Sequence, residues 1–271
     1  MLKDITIGQY FPGNSVIHRM DPRMKIVLSI AYIVMLFMAK GFSGIAVGVV
    51  FLAVCYGISH IPVSLILKSL KPVIPIILFT AILNMFFVEG DPVFQWAFIT
   101  ITRQGLSTAA LMSVRIICLI AGTSLLTYTT SPIVLTDGIE RLLSPLKKLH
   151  LPVHELAMMM TIALRFIPTL IEETDKIMSA QKARGADLES GGLVQRAKAL
   201  VPILIPLFIS AFRRADDLAL AMECRCYRGG EGRTRMKQLK LSSRDIIGAV
   251  IVALTIAAII LLNIFFPLAI A

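Results

Sequence analysis

The stretch RAKALVPILIPLFISAFRR, residues 196–214, sets this chain apart from a simple bundle of membrane helices. Its apolar part, 200–212, is about 13 residues long, whereas a helix that crosses a bilayer needs roughly 20. Basic residues stand on both sides of that part: Arg196, Lys198, Arg213 and Arg214. A short apolar helix with cations at both ends predicts a segment that lies at a membrane surface, bent at Pro202 and Pro206.

The chain as a whole is strongly apolar. It has 271 residues, of which 56% are hydrophobic, and its mean hydropathy is +0.81. Soluble domains are about half apolar, and the excess here lies in runs long enough to cross a bilayer. Five transmembrane helices are predicted, at 24–39, 42–59, 72–88, 106–128 and 246–266. The aromatic and β-branched stretch 93–102 is too short to cross, and we predict an interfacial hairpin there with Trp96 at headgroup level.

The segment between the last two predicted spans, 131–244, is basic and amphipathic. Its apolar periodicity predicts three helices, at 132–149, 154–184 and 193–226. Ser131 followed by Pro132 is typical of a helix start, and Gly185 of a helix end. In the second helix Pro168 predicts a kink, and Glu172 with Lys176 an i,i+4 ion pair on the wet side.

The fold class that follows is an all-α multi-pass membrane protein, with about five transmembrane helices and a cytosolic domain of about three helices. Residues 1–130 are predicted to form an N-terminal membrane domain of four helices, 131–244 the cytosolic domain, and 245–271 a C-terminal transmembrane helix. No cleavable signal peptide is expected, because no apolar run directly follows the polar first residues.

The net charge of +10 does not indicate nucleic-acid binding, because the basic residues are sorted by topology. If the N-terminus is cytoplasmic, the predicted outside loops hold only Lys40 and Arg103 as basic residues. The other basic residues near the predicted spans then lie inside: Lys3, Arg19, Arg23, Lys25, Lys68, Lys71 and those of 131–244. This bias predicts a cytoplasmic N-terminus and, with five spans, an extracellular C-terminus.

No catalytic or metal site is predicted. His150, His154 and Glu155 superficially resemble a zinc signature, but Pro152 interrupts the helix that such a pair needs, and no third ligand is evident. The thiols Cys224 and Cys226 alone make an incomplete metal site, and there is no phosphate-binding loop of the GxxxxGK[ST] type. None of the four cysteines falls in an outside loop, so no disulfide framework is implied.

Arg115 lies inside a predicted span, where a charge is costly and functional by default. Three readings stay open for it: a position in the bundle interior, a contact with a partner, or a place near a helix end that the prediction has shifted.

Two arginine-centred segments, Ala183-Arg184-Gly185 and Cys224-Arg225-Cys226, each end a long predicted helix. A single arginine at a helix end is usually solvated or interacts with the helix dipole. Two copies in one domain favour a two-point docking surface, because small neighbours let a partner approach and a guanidinium offers a planar fork to carboxylates.

At this point the chain resembles the transmembrane T component of energy-coupling factor transporters (EcfT, a CbiQ-like family). The resemblance covers nearly the whole chain. Its N-terminal part is Gly8, Tyr10, Pro12, Gly13, Ser15, His18, Arg19, Asp21-Pro22-Arg23 and Lys25. Its other parts are the runs ALRFIP (163–168), QKARGA (181–186) and AMECRCYRG (221–229).

The resemblance implies a non-enzymatic coupling subunit of an importer in the bacterial cell membrane. Its partners would be two ABC-type ATPases, of EcfA and EcfA-prime type, and a small substrate-binding membrane S component, all in the lipid bilayer and without nucleic acid. ATP and Mg would be held by the ATPases, and this chain would bind no cofactor. The expected cargo is a vitamin or related micronutrient.

The resemblance also assigns residues. Arg184 and Arg225 would end two crossed coupling helices and dock in grooves of the ATPases, flanked by Ala183, Gly185, Cys224 and Cys226. The second motif departs from the commoner Ala-Arg-Gly by having cysteine on both sides. Apolar residues of the same helices would meet the S component: Met158, Met159, Met160, Leu204 and Phe208. Methionines make a deformable patch, although ordinary helix packing explains them equally well.

An autonomous secondary transporter or channel is the alternative. It predicts several polar residues at matching depth in paired halves, and only Arg115 and Asn84 stand out here. An integral-membrane enzyme would need ligand clusters at membrane depth, which the sequence lacks.

Overall fold

The computed structural model describes residues 10–96, 99–149, 152–186, 192–229 and 239–265. These residues divide into two compact units. One contains residues 139–229, and the other contains 10–138 together with 239–265. The second unit, called the membrane unit below, is therefore interrupted in sequence by the first, which is called the inserted unit.

In the described residues, the membrane unit is built mainly from six α-helices, most of which pack against α5. The helices are α1 (Pro22–Met38), α2 (Phe42–Ser59), α3 (Val63–Leu70), α4 (Ile74–Phe87), α5 (Arg103–Thr129) and α9 (Ser243–Phe265). Helix α1 contacts α2, α5 and α9, and α5 also contacts α2, α3 and α4. Asp21 caps α1 by accepting a hydrogen bond from the Arg23 amide, and Pro22 follows it at the first helical position.

A small apolar core lies between α1, α2 and α5. Met35, Leu36, Leu111 and Tyr128 are almost completely buried in it. The tyrosine hydroxyls on its border donate to backbone carbonyls: Tyr56 to Ala121 at 2.7 Å and Tyr128 to Leu65 at 3.0 Å. Buried hydroxyls satisfied in this way fix the rotation of the helices about their axes.

The predicted hairpin is present, with strands β1 (Pro92–Trp96) and β2 (Ile99–Thr102) paired antiparallel. Their register is irregular between Pro92 and Phe94. The hairpin is fastened to α4, because the Thr102 hydroxyl donates to the Val88 carbonyl at 2.7 Å and accepts from the Gly105 amide at 3.0 Å.

The spans predicted at 42–59 and 72–88 leave residues 60–71 outside any helix, but most of this stretch is helical. Helix α2 ends at His60, which has a positive φ of 52°, and α3 begins at Val63. A 3₁₀ turn, Lys71–Val73, then joins α3 to α4. Pro72 and Pro75 indicated a helix start because proline lacks an amide proton, but the chain passes through them with only a tighter turn.

Five helices are long and apolar enough to cross a membrane, by length and composition, in the part of the chain that the structure describes. They are Phe42–Ser59, Val63–Phe87, Arg103–Thr129, Val153–Ala183 and Ser243–Phe265. Four correspond to predicted spans. The fifth is the central helix of the inserted unit, whereas α1, a predicted span, has 17 residues and is close to the shortest length that crosses a bilayer.

The inserted unit contains the second half of α6 (Pro132–Leu143), a 3₁₀ turn (Ser144–Leu149), α7 (Val153–Ala183) and α8 (Leu193–Cys224). The prediction of one helix over 132–149 thus holds as a helix followed by a tighter turn. His154 at the start of α7 lies 3.0 Å from a carboxylate oxygen of Glu140 in α6. This contact joins the two helices across the turn.

Candidate docking site

Helix α7 ends in a complete Schellman motif centred on Arg184. Arg184 is the C-cap, and Gly185 follows it in the left-handed region at φ +86°. The Ala186 amide donates to the Gln181 carbonyl at 3.0 Å, and the Gly185 amide donates to Lys182 at 3.0 Å. These two bonds satisfy carbonyls that a helix end leaves open.

Helix α8 ends in the same way, although its residues are different. Arg225 is the C-cap, and Cys226 follows it at φ +56°. The Tyr227 amide donates to Met222 at 3.0 Å, and the Cys226 amide donates to Glu223 at 2.8 Å. The two arginine segments therefore share one backbone geometry, with a cysteine holding the conformation that glycine holds in α7.

This geometry changes the explanation of the residues beside the two arginines. A Cβ added to Gly185 would meet no described atom within 4 Å, so within this chain glycine is needed for its backbone angle rather than for space. The sequence indicates Gly185 as a helix end, and it explains the small residues beside the second arginine only by close approach of a partner. Cys226 had given no sign of a left-handed conformation, because cysteine rarely adopts one.

Both segments are exposed over their whole length. Arg184 and Arg225 are exposed, and so are the flanking residues Ala183, Gly185, Cys224 and Cys226. Each guanidinium thus stands at the tip of a long helix, near the negative end of its dipole. A planar cation in that position can bind one or two carboxylates of another surface.

Helices α7 and α8 are fastened to each other by a polar cluster. The Glu173 carboxylate of α7 accepts a hydrogen bond from the Ser210 hydroxyl of α8. It also forms an ion pair with Arg214, with 2.9 Å between the guanidinium nitrogen and the carboxylate oxygen. The predicted ion pair between Glu172 and Lys176 is not formed in these described stretches. The acidic side chain that forms an ion pair is the next one along, because it faces α8 rather than solvent.

A second contact joins the end of α7 to the prolines of α8. Pro206 has no amide proton, so the Pro202 carbonyl four residues earlier has no partner in its own helix. The Gln181 side-chain amide of α7 donates to that carbonyl at 3.4 Å. Helix α8 continues through both prolines, as α7 continues through Pro168.

The apolar residues expected to face an S component are mostly exposed. Met159, Met160, Leu204 and Phe208 are exposed, and Met158 is half-buried. Leu204 and Phe208 belong to a longer exposed apolar surface along α8, which also contains Leu200, Val201, Ile205, Ile209 and Phe212. Ile203 alone in this run is buried.

Arg115 binds the C-terminal end of α1 within the membrane unit. Its guanidinium donates to the carbonyl of Ala39, the C-cap of α1, at 2.5 Å. Asn263 of α9 donates to the preceding carbonyl, that of Met38, at 2.8 Å. Helix α1 is short, so its open carbonyls need donors from its neighbours, and the bundle-interior reading of Arg115 is the one that the structure supports.

The run Asp21-Pro22-Arg23 with Lys25, together with Asp245 of α9, forms a cluster of charges that are mostly buried, called the charge clamp below. The Asp245 carboxylate of α9 is 1% exposed and accepts from the Asp21 amide at 2.8 Å and the Ser242 amide at 2.7 Å. Arg23 pairs with Asp21 through two nitrogens. The sequence does not single out Asp245, because its partner Asp21 is 224 residues away in the chain.

Lys25 ties the clamp to the end of α5. Its ammonium donates to the carbonyls of His18 and Thr129 at 3.1 and 2.9 Å, and to the Thr130 hydroxyl at 3.0 Å. Arg23 also reaches the Leu239 carbonyl at 3.4 Å. The clamp therefore holds the starts of α1 and α9 against the end of α5.

His18 fixes the loop before α1. Its Nδ1 lies 2.7 Å from the Ser15 hydroxyl, and its Nε2 donates to the Phe11 carbonyl at 3.0 Å. Burial lowers the pKa of His18 below its usual value and nearby Lys25 lowers it too, against the opposing effect of the Phe11 carbonyl. The ring is therefore held neutral, with Nδ1 accepting from Ser15.

No group of three or more metal-ligating side chains lies together in the described ranges. His150, the first residue of the zinc-like signature, lies outside them, and His154 is engaged with Glu140. Cys224 and Cys226 are free and exposed.

These observations define a multi-pass α-helical membrane protein with an inserted helical unit whose two long helices end in exposed arginines. The family model described as CbiQ, cobalt transport protein, matches residues 13–236. The chain belongs to this family.

Several curated relatives are similar to the chain over almost its full length, and each is named energy-coupling factor transporter transmembrane protein EcfT. The relative from Clostridium kluyveri is 62% identical over 251 residues, which are 92% of this chain and 93% of the relative. The one from Ruminiclostridium cellulolyticum is 55% identical, over 91% and 92% of the two chains. The one from Bacillus subtilis is 48% identical, over 96% and 98%.

Proposed function

We propose that this chain is the transmembrane coupling subunit of an energy-coupling factor importer, which transmits ATP-driven motion of two ATPase subunits to a substrate-binding S component. The observation that carries the proposal is the pair of matching helix ends. Two long helices, packed on each other, present Arg184 and Arg225 in one geometry and fully exposed. The names of the relatives agree with this role.

The two arginines are the docking residues in this proposal. Each binds carboxylates in a groove of one ABC-type ATPase, and the flanking residues keep the helix tip narrow. ATP and Mg are bound by the ATPases. This chain binds no cofactor and catalyses no reaction of its own.

Motion reaches the S component through the apolar surfaces of α7 and α8. The Glu173 cluster and the Gln181 contact support this, because they make the two helices move together when either tip is displaced. Met158, Met159, Met160, Leu204 and Phe208 belong to the surface that meets the S component. The cargo is a vitamin or a related micronutrient, and its identity is decided by the S component.

The orientation proposed is an N-terminus in the cytoplasm and a C-terminus outside a bacterial plasma membrane. Thr129 and Leu239, which flank the inserted unit in sequence, both contact the charge clamp. The starts of α1 and α9 lie at the clamp, with Arg19 and Arg244 close by in sequence. The hairpin instead connects the end of α4 to the start of α5. The positive-inside rule then places the clamp in the cytoplasm.

Co-purification tests the proposal. A tagged chain is extracted from the membranes of its host, as wild type and with Arg184→Glu plus Arg225→Glu. We expect two ATPases and small membrane proteins with the wild type, and loss of the ATPases with the double variant, because two like charges then face acidic grooves. Arg213→Glu is the matched control, since Arg213 is exposed on α8 away from its tip.

Two outcomes contradict the proposal. One is an unchanged set of ATPases in the double variant. The other is a chain that purifies alone and moves solute in liposomes without partners, which would establish the autonomous transporter.

A further inference from the structure

An apolar cavity lies inside the membrane unit, between α1, α2, α5 and α9. Its volume is about 350 Å³, within the range of pockets that hold small ligands. Its walls are formed by aromatic and aliphatic side chains, including Leu28, Tyr32, Phe51, Leu125 and Val252. The cavity opens sideways, because several of its lining residues, including Val54, Ile58 and Ile251, are exposed on the surface of the bundle.

The cavity is elongated along the helices. On α1 its lining extends from Lys25 to Tyr32 and on α9 from Arg244 to Val252, which corresponds to about 10 to 12 Å at the helical rise. A narrow apolar space of this length, open to the side of a membrane protein, matches a hydrocarbon chain better than a compact polar solute.

One end of the cavity is cationic. Lys25 and Arg244 line it there. The three ammonium protons of Lys25 are taken up by three oxygen acceptors. In the clamp the two carboxylates, Asp21 and Asp245, balance Arg23 and Lys25, so Arg244 is one cation in excess.

Arg244 is exposed and forms no hydrogen bond or ion pair within the described ranges. Its neighbour Asp245 does not compensate it, because both oxygens of that carboxylate accept backbone amides. A guanidinium at the mouth of an apolar cavity is suited to a phosphate group.

We infer that this cavity binds one anionic phospholipid, with an acyl chain between α1, α2, α5 and α9 and its phosphate at Arg244. The lipid fills a space that would otherwise weaken the packing of the four helices. It also neutralises the excess cation beside the charge clamp. The inference requires only that the chain is a membrane protein, and it stands apart from the proposed docking of ATPases.

Native mass spectrometry of the full chain tests the inference. The chain is reconstituted in bilayers of equal parts phosphatidylglycerol and phosphatidylcholine, released in mild detergent, and its retained lipid identified. We expect one retained phosphatidylglycerol. In Arg244→Gln its excess over phosphatidylcholine should fall about fivefold, the effect of one basic residue near an anionic surface.

A cavity-filling substitution supplies the second arm. Ser29 lines the cavity, so Ser29→Phe should remove retention of either lipid. The matched controls are Ile30→Phe, on the exposed face of α1 outside the cavity, and Lys240→Gln, an exposed cation that does not line it. Both controls should retain lipid as the wild type does.

Photocrosslinking in the wild type tests whether an acyl chain occupies the cavity, even if Ser29→Phe does not fold. Phosphatidylglycerol with a photoactivatable acyl chain should label peptides that contain the lining residues of α2 and α9. Equal retention in Arg244→Gln and Lys240→Gln, or labelling confined to residues outside the cavity, would overturn the inference.

Discussion

Cys226 shows how one residue can keep a geometry that its side chain disfavours. It follows Arg225 at a positive φ and still completes the same hydrogen bonds that Gly185 completes in α7. A non-glycine residue in the left-handed region is destabilised by about 1 kcal/mol or more. The end of α8 is therefore held less firmly than that of α7.

Glycine at this position should strengthen the end of α8. We expect Cys226→Gly to slow amide hydrogen exchange at Tyr227 about two- to fivefold. Glycine removes the strain of the left-handed conformation, and its larger backbone entropy in the unfolded chain offsets only part of that gain. Gly185→Ala should do the reverse at Ala186. Cys224→Gly is the control of opposite sign, because residue 224 is still helical and glycine there weakens the helix. Faster exchange in Cys226→Gly would refute the explanation.

Arg115 is predicted to stabilise the membrane unit by capping α1. In Arg115→Leu the Ala39 carbonyl loses its donor, and an unsatisfied group of this kind costs about 1–3 kcal/mol. We expect a lower melting temperature in detergent, by about 2–4 °C for each kcal/mol. Arg103→Leu, at an exposed position on the same helix, should change it little. Equal melting temperatures for the two variants would show that the capping bond is not needed.

At the scale of elements, apolar runs and caps predicted most helices well. The second span was predicted at 42–59 and is found at Phe42–Ser59, and the hairpin at 93–102 is present. Helix α3 was missed because two prolines suggested that the helix starts at 72, and local signals do not show that a 3₁₀ turn can join two helices through them.

The site was predicted only in part, for a similar reason. The places of Arg184 and Arg225 follow from helix ends, which are local. The Glu173–Arg214 ion pair and the Arg115–Ala39 hydrogen bond depend on which residues meet across helices. Periodicity does not determine that, since it specifies a face but not the neighbour that the face meets.

A double-mutant cycle can test whether the Glu173–Arg214 ion pair holds α7 and α8 together. Glu173→Ala, Arg214→Ala and the double variant should reveal a small favourable coupling in thermal or chemical unfolding, weakened by solvent because both side chains remain partly exposed. Glu173→Ala combined with Arg213→Ala is the control, and its two effects should add. Additive effects in the first pair as well would mean that the ion pair does not join the helices.

At the scale of the whole molecule, the charge clamp determines how three distant parts of the chain meet. Its members come from the start of α1, the end of α5 and the start of α9. Buried charges are tolerated only when they are paired and hydrogen-bonded, so the removal of one member affects all three helices.

Asp245→Asn is the mildest test of the clamp. Asparagine keeps the shape, but one of its two side-chain positions becomes a donor that faces a backbone amide, and a hydrogen bond to a charged group is lost. We expect a loss of about 1.5–3 kcal/mol in unfolding free energy and faster proteolysis near Thr130. Asp217→Asn, at an exposed site on α8, should stay within about 0.5 kcal/mol of wild type. A stable Asp245→Asn protein would show that the charge is dispensable.

The clamp also brings together the two parts of the chain that flank the inserted unit. Lys25 contacts Thr130, which precedes the inserted unit by a few residues, and Arg23 contacts Leu239, which follows it closely. The intervening hundred or so residues thus start and finish beside one another, as a detachable cassette does.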